Sequence, residues 1–249
     1  MTNKEVAAWA ERFWLSVGHV EPFPRSLESP VAWALPLAVI KLPHLGLFNM
    51  NEWLIQKGII SRCPTQDRRL RACLFAKVGH GFVFLDGSDP DDERRFSLAH
   101  EVVHFISDYL EPRNRVLALL GDAGRDILDG RRPPTPEERL RGVLHNVELS
   151  TYTHLIERSS AGSVTSIQTL EAEDRADRLA LELIAPRLTV LSCLKKRNVG
   201  WRSPTALEIA QEILAREYGL PVPVAKRYGE LLIMSRRSSR TFREWLGDK

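Results

Sequence analysis

The chain has 249 residues, 35 Lys and Arg against 32 Asp and Glu, a formal charge of +3 and 43% apolar residues; that is enough for a real core, and too little charge imbalance to point to a nucleic-acid partner. Its longest apolar run, Val31 to Ile40, is broken by Pro36 and falls short of the roughly 20 residues that a membrane span needs. Lys4, Glu5, Glu11 and Arg12 interrupt the first residues, so no signal-peptide core is expected, and Cys63, Cys73 and Cys193 make neither a C-x-x-C pair nor a disulfide framework, which favours a reducing, cytoplasmic setting.

In chain order, Val6, Trp9, Ala10, Phe13, Trp14 and Val17 recur at three- and four-residue spacing and predict a helix over 2–17. Pro22, Pro24 and Pro30 mark an irregular connection, and the β-branched run 37–42 predicts a short buried strand. A helix is expected over 49–58, capped by Asn49 or Asn51 and stopped by Gly58. Residues 71–78 and 82–85 have strand character, with Gly79-His80-Gly81 as the turn of a hairpin. A helix over 94–110 follows, with Asp91, Asp92 and Glu93 placed where its N-terminus favours negative charge. Phe96, Leu98, Ala99, Val102, Val103, Phe105 and Ile106 lie most of the way round it, which predicts packing on most faces.

Beyond it, 115–120 and 125–128 read as helical and Arg131 to Pro134 as a linker. Thr135-Pro136-Glu137-Glu138 is a capping box opening a helix to about 147. Residues 154–158 predict a strand, and 159–166 a connection of small and polar residues. Helices are expected over 171–185, stopped by Pro186, over 203–218, and over 224–233. Arg236, Arg237, Arg240 and Arg243 make the tail basic.

The chemistry concentrates in His100-Glu101-Val102-Val103-His104, an H-E-x-x-H pattern. Residues four apart on a helix share a face, so His100 and His104 can offer two imidazoles to one metal ion. Glu101 lies one residue round, in reach of a water at that metal. Zn2+ suits neutral imidazole ligands and activates water, and the carboxylate can then act as general base. Two buried histidines and a buried glutamate without partners would cost several kcal/mol. A metal satisfies all three, whereas on a surface helix the same pattern would be an ordinary accident.

A catalytic zinc needs a third protein ligand. Within 171–186, Glu173 and Asp177 share a face with Ala176, Ala180 and Ile184. Glu173 could then ligate the metal while Asp177 accepts a ring N–H from a ligating histidine. Alternatively the acidic residues form a solvated face paired with Arg175 and Arg178. Residue pattern leaves both readings open.

The segment Arg95-Phe96-Ser97-Leu98-Ala99-His100-Glu101-Val102-Val103-His104 resembles the R-F-[ST]-L-A-H-E-x-x-H segment of ImmA/IrrE-type metallo-endopeptidases. That family's second motif, E-x-x-A-[ND]-x-F-A-x-x-L-L-x-P, is matched by Glu173-x-x-Ala176-Asp177-x-Leu179-Ala180-x-x-Leu183-Ile184-x-Pro186. Residues 70–110 and 171–186 carry the resemblance, with 200–234 following it loosely. It implies one zinc per chain held by His100, His104 and Glu173, with Glu101 as general base. It also implies regulatory proteolysis of a helix-turn-helix repressor. Leu179 replaces an aromatic, and Glu173 follows His104 by 69 residues, longer than the family's usual separation.

The implied architecture is α+β: a zincin-like core with a small twisted sheet packed on the H-E-x-x-H helix and on a second, ligand-bearing helix. Residues 1–60 form a segment packed on the core. Residues 61–234 form the metallopeptidase domain, with 111–170 inserted as a lid, a specificity element or a structural insertion, and 235–249 form the tail. His145, Tyr152 and His154 are candidate oxyanion donors. His80 is a turn residue beside a strand that could pair with a peptide, and His19 and His44 read as structural. The rival class is a metal-binding regulatory or interaction protein that controls a partner by binding, against which the intact Glu101 argues. A helix-turn-helix over 204–234 binding DNA directly is disfavoured by the small net charge and by Pro221 and Pro223.

Overall fold

A computed structural model describes residues 1–59, 66–139, 152–157 and 167–238. Four strands, β1 (Leu37–Leu42), β2 (Leu70–Lys77), β3 (His80–Asp86) and β4 (Tyr152–Glu157), form one mixed sheet in the order β1-β3-β2-β4. β1 runs parallel to β3, and β2 is antiparallel to both β3 and β4. The molecule is α+β, as expected. Alternate residues supply the two faces of the sheet. Ala72, Leu74, Ala76, Val83 and Leu85 join the main core, whereas Cys73, Phe75 and Phe84 join a second cluster with Leu47, Met50 and Leu54.

Helices cover both faces. α1 (Asn3–Val17) buries the anticipated Val6, Trp9, Ala10, Phe13 and Trp14. A Thr2/Glu5 capping box begins it, and Gly18 in the left-handed region ends it. The Pro-rich connection contains α2 (Glu28–Ala34), which the sequence does not announce. α3 (Leu47–Gln56) starts two residues earlier than expected: Gly46 is its N-cap, and Asn49 reaches back to accept from the Gly46 N–H.

The hairpin turn is Val78-Gly79, both at positive φ, rather than Gly79-His80-Gly81. His80 is already in β3, paired with Lys77. A two-residue turn of this hand matches the twist of the strands it joins. Gly81 instead makes room for its neighbours, since a Cβ there would lie 2.5 Å from Leu37 and 2.7 Å from the Phe105 ring.

α4 (Asp91–His104) lies on the main-core face of the sheet, its residues 97–104 all buried. Past His104 the same rod becomes a π-helix, Phe105–Leu110, and then α5 (Glu111–Leu128), broken at Gly121. Val116 and Ile127 are buried apolar residues of α5. The Thr135/Glu138 capping box forms as read, with reciprocal hydrogen bonds. The rest of the helix expected to 147 lies outside the described residues, as does 159–166.

α6 (Ile167–Ile184) packs against α4 and α1, and Ala176 and Ala180 are wholly or almost wholly buried there. Small residues let the two helices approach closely. After Pro186 come α7 (Arg187–Lys196), unanticipated, then α8 (Ala206–Arg216) and α9 (Val222–Ser238), which pack on each other. Among the described residues no helix is long and apolar enough to cross a membrane.

Candidate metal centre

His100, Glu101 and His104 sit in the most enclosed stretch of α4, at 5%, 0% and 1% exposure. The four-residue spacing brings the imidazoles together, Nε2 to Nε2, at 3.0 Å. Glu173 reaches in from α6, with Oε2 at 3.3 Å from His100 Nε2 and Oε1 at 3.6 Å from His104 Nε2. Ligands 2.0–2.1 Å from a tetrahedral zinc lie about 3.3 Å from one another. The Nε2–Nε2 distance and the two nearest Nε2–carboxylate distances, which involve different Glu173 oxygens, bracket that value. Among the described residues, this trio is the group of His, Cys, Asp and Glu whose ligand atoms converge in this way.

The other ring nitrogens fix the orientation. His100 Nδ1 donates to Asp177 Oδ1 at 3.0 Å, and His104 Nδ1 donates to Asp108 Oδ2 at 2.6 Å. A carboxylate can only accept, so each Nδ1 carries a hydrogen, and a ring that gives up its Nε2 proton turns that lone pair inward. Two lone pairs and a carboxylate oxygen facing one point make a donor set for a cation. The residues therefore fit the zinc that the H-E-x-x-H spacing suggests.

The electrostatics agree. Burial opposes charge on His100, but the hydrogen bonds to Asp177 and Glu173 and the field of Glu101 outweigh it and raise its pKa to about 9. Without a metal, the cluster of carboxylates attracts a proton in its place. Glu173 is the exposed member, with 38% of its side chain accessible, and so marks the open side. The Phe96 ring lies 6.4 Å from the His100 ring, centroid to centroid.

Asp177 lies against the Nδ1 side of His100. Asp108 is a site residue that sequence reading missed, although a signal was available: it lies four residues beyond His104, the same spacing that joins the two histidines. Tyr152 and His154 are on β4, in register with Ala76 and Leu74. Their side chains, and the whole of His145, lie outside the described residues. His80 is exposed at the start of β3. His44 pairs with Ser88, and His19 with Glu21. Searched against protein-family models and curated proteins, the chain matches none.

Proposed function

We propose that the chain is a zinc-dependent endopeptidase of the ImmA/IrrE type, built on a zincin-like core and acting in the cytoplasm. The substrate that the two motifs imply is a helix-turn-helix repressor. The observation that carries this reading is the convergence of His100 Nε2, His104 Nε2 and a Glu173 oxygen within 4.8 Å, with Glu101 fully buried beside them. A purely structural zinc site favours four protein ligands and needs no base.

When bound, a divalent cation here supplies Lewis acidity and lowers the pKa of a water toward about 7. His100 and His104 hold their rings edge-on to the site, and Asp177 and Asp108 stop them rotating. Glu101 takes a proton from the attacking water and delivers it to the departing amine. Glu173 closes the trio from the accessible side, by which a peptide approaches. A mostly apolar cavity of about 210 Å³, lined by Phe96, Asp177, Leu181, Val224 and Leu231 among others, lies beside the trio on the Nδ1 side of His100, where a side chain of a bound peptide could rest. Apolar walls with a few charged groups are what a peptide side chain needs.

Glu101→Gln tests the reading, because it keeps the shape and removes the base. Metal content is expected to stay at the wild-type level while cleavage of a susceptible protein falls by about 10²- to 10⁴-fold. Cleavage at the wild-type rate would contradict the assignment.

A further inference from the structure

Asp108 faces two elements at once. Its Oδ2 accepts from His104 Nδ1, and its Oδ1 accepts from Nη2 of Arg175. Arg175 stands on α6, two residues from Glu173. The chain of contacts Arg175–Asp108–His104 therefore joins the helix that supplies the third ligand to the rod that supplies the imidazoles. Arg175 holds this place although its buried Nε has no hydrogen-bond partner among the described residues. An ordinary surface pair, worth little in itself, gives no reason to accept that loss. On the His100 side the matching guanidinium is looser: Arg227 is 3.5 Å from Asp177, and its side chain is 70% exposed.

We propose that Arg175 is a positioning residue of the metal centre, holding the Asp108 carboxylate against His104 so that His104 Nε2 stays turned to the point on which Glu173 closes. This rests on reading the trio as a metal site. Asp108 lies in the π-helical stretch, where the backbone ladder has changed its step. A carboxylate there needs a second anchor to keep its aim, and Arg175 supplies it from across the helix interface. Fixing Asp108 also fixes which ring nitrogen of His104 carries hydrogen. The arrangement of α6 over α4 and the geometry of the ligands thus become one property.

The test measures Zn2+ affinity by chelator competition, and the visible spectrum of Co2+-loaded protein, on the full chain. Asp108→Asn is expected to weaken Zn2+ binding by about 10- to 100-fold and Arg175→Gln by about 10-fold, with a changed Co2+ spectrum in both. The double variant is expected to be no weaker than Asp108→Asn alone, because Arg175 acts through Asp108. Arg175→Lys should recover part of the loss. Arg178→Gln, which alters a neighbouring arginine bonded to the Met1 carbonyl, should bind Zn2+ as the wild type does.

A merely structural ion pair would instead lower the melting temperature of the metal-free protein and leave Zn2+ affinity and the Co2+ spectrum at wild-type values. That result, or additive losses in the double variant, overturns the proposal. Wild-type protein that takes up no Zn2+ overturns the metal-centre reading and this inference with it. Normal Zn2+ affinity in Arg175→Gln overturns this inference alone.

Discussion

In the proposed metal centre His100 answers to two competing ligands, a proton and a cation. In metal-free protein its pKa is raised from 6.5 to about 9, so the folded state binds the proton more tightly than the unfolded chain does. The resulting stabilisation is complete below about pH 6.5 and is lost as pH rises through about 9. Metal works in the opposite sense, because the imidazole must give up that proton to ligate. Thermal melts at several pH values should therefore show two trends. Without metal, this group's contribution to stability declines between pH 6.5 and 9, and His100→Gln flattens that decline. With Zn2+ added, the rise in melting temperature grows over the same range. A Zn2+-induced shift that shrinks with increasing pH would contradict ligation by His100.

At the scale of elements, the site depends on how α4 meets the sheet. Phe105, first residue of the π-helix, lies against Gly81 of β3, and the Gly79 N–H donates to the Tyr109 hydroxyl at 2.7 Å. The hairpin and the rod are thereby locked one and five residues past His104. Gly81→Ala puts a methyl into the Phe105 ring and is expected to cost about 1–3 kcal/mol, read as a lower denaturation midpoint. Tyr109→Phe removes the hydrogen bond from Gly79 and should cost about 1 kcal/mol or more. A Gly81→Ala protein as stable as wild type would show that this contact does not set the register. Much of this scale was legible. The bounds of β1 follow from its β-branched run, the apolar face of α1 from periodicity, and the capping box at Thr135 from its local chemistry. What escaped was governed by contacts beyond the local window. Gly81 resembled a turn residue because the Phe105 ring that excludes a side chain there comes from another element. α2 was hidden by Pro30, which sits in the helix's first turn, where no intrahelical N–H bond is lost. α7 was hidden by its place directly behind Pro186, its N-cap.

Across the whole molecule, the trio is assembled from helices far apart in sequence. The pairing of His100 with His104 was readable, because both lie on one turn-repeat. That Glu173 faces them was not readable from local pattern, which equally allowed a solvated acidic face; the family resemblance favoured it, and the packing of α6 on α4 delivers it. Asp108 escaped because it lies one helical repeat past the end of the motif. A cation gripped by both helices binds the folded chain and not the unfolded one, so saturating Zn2+ should stabilise the protein. The gain is about 4 kcal/mol when free Zn2+ is 1,000 times its Kd, and removal by a chelator should reverse it. The most direct measurement is the zinc content per chain of dialysed wild-type and Glu173→Ala proteins, with the fold of each checked by circular dichroism. A metal centre built on this trio predicts one zinc in the wild type and much less than one in the variant at equal helicity. A wild type without metal, or a Glu173→Ala protein that keeps a full equivalent, would contradict it.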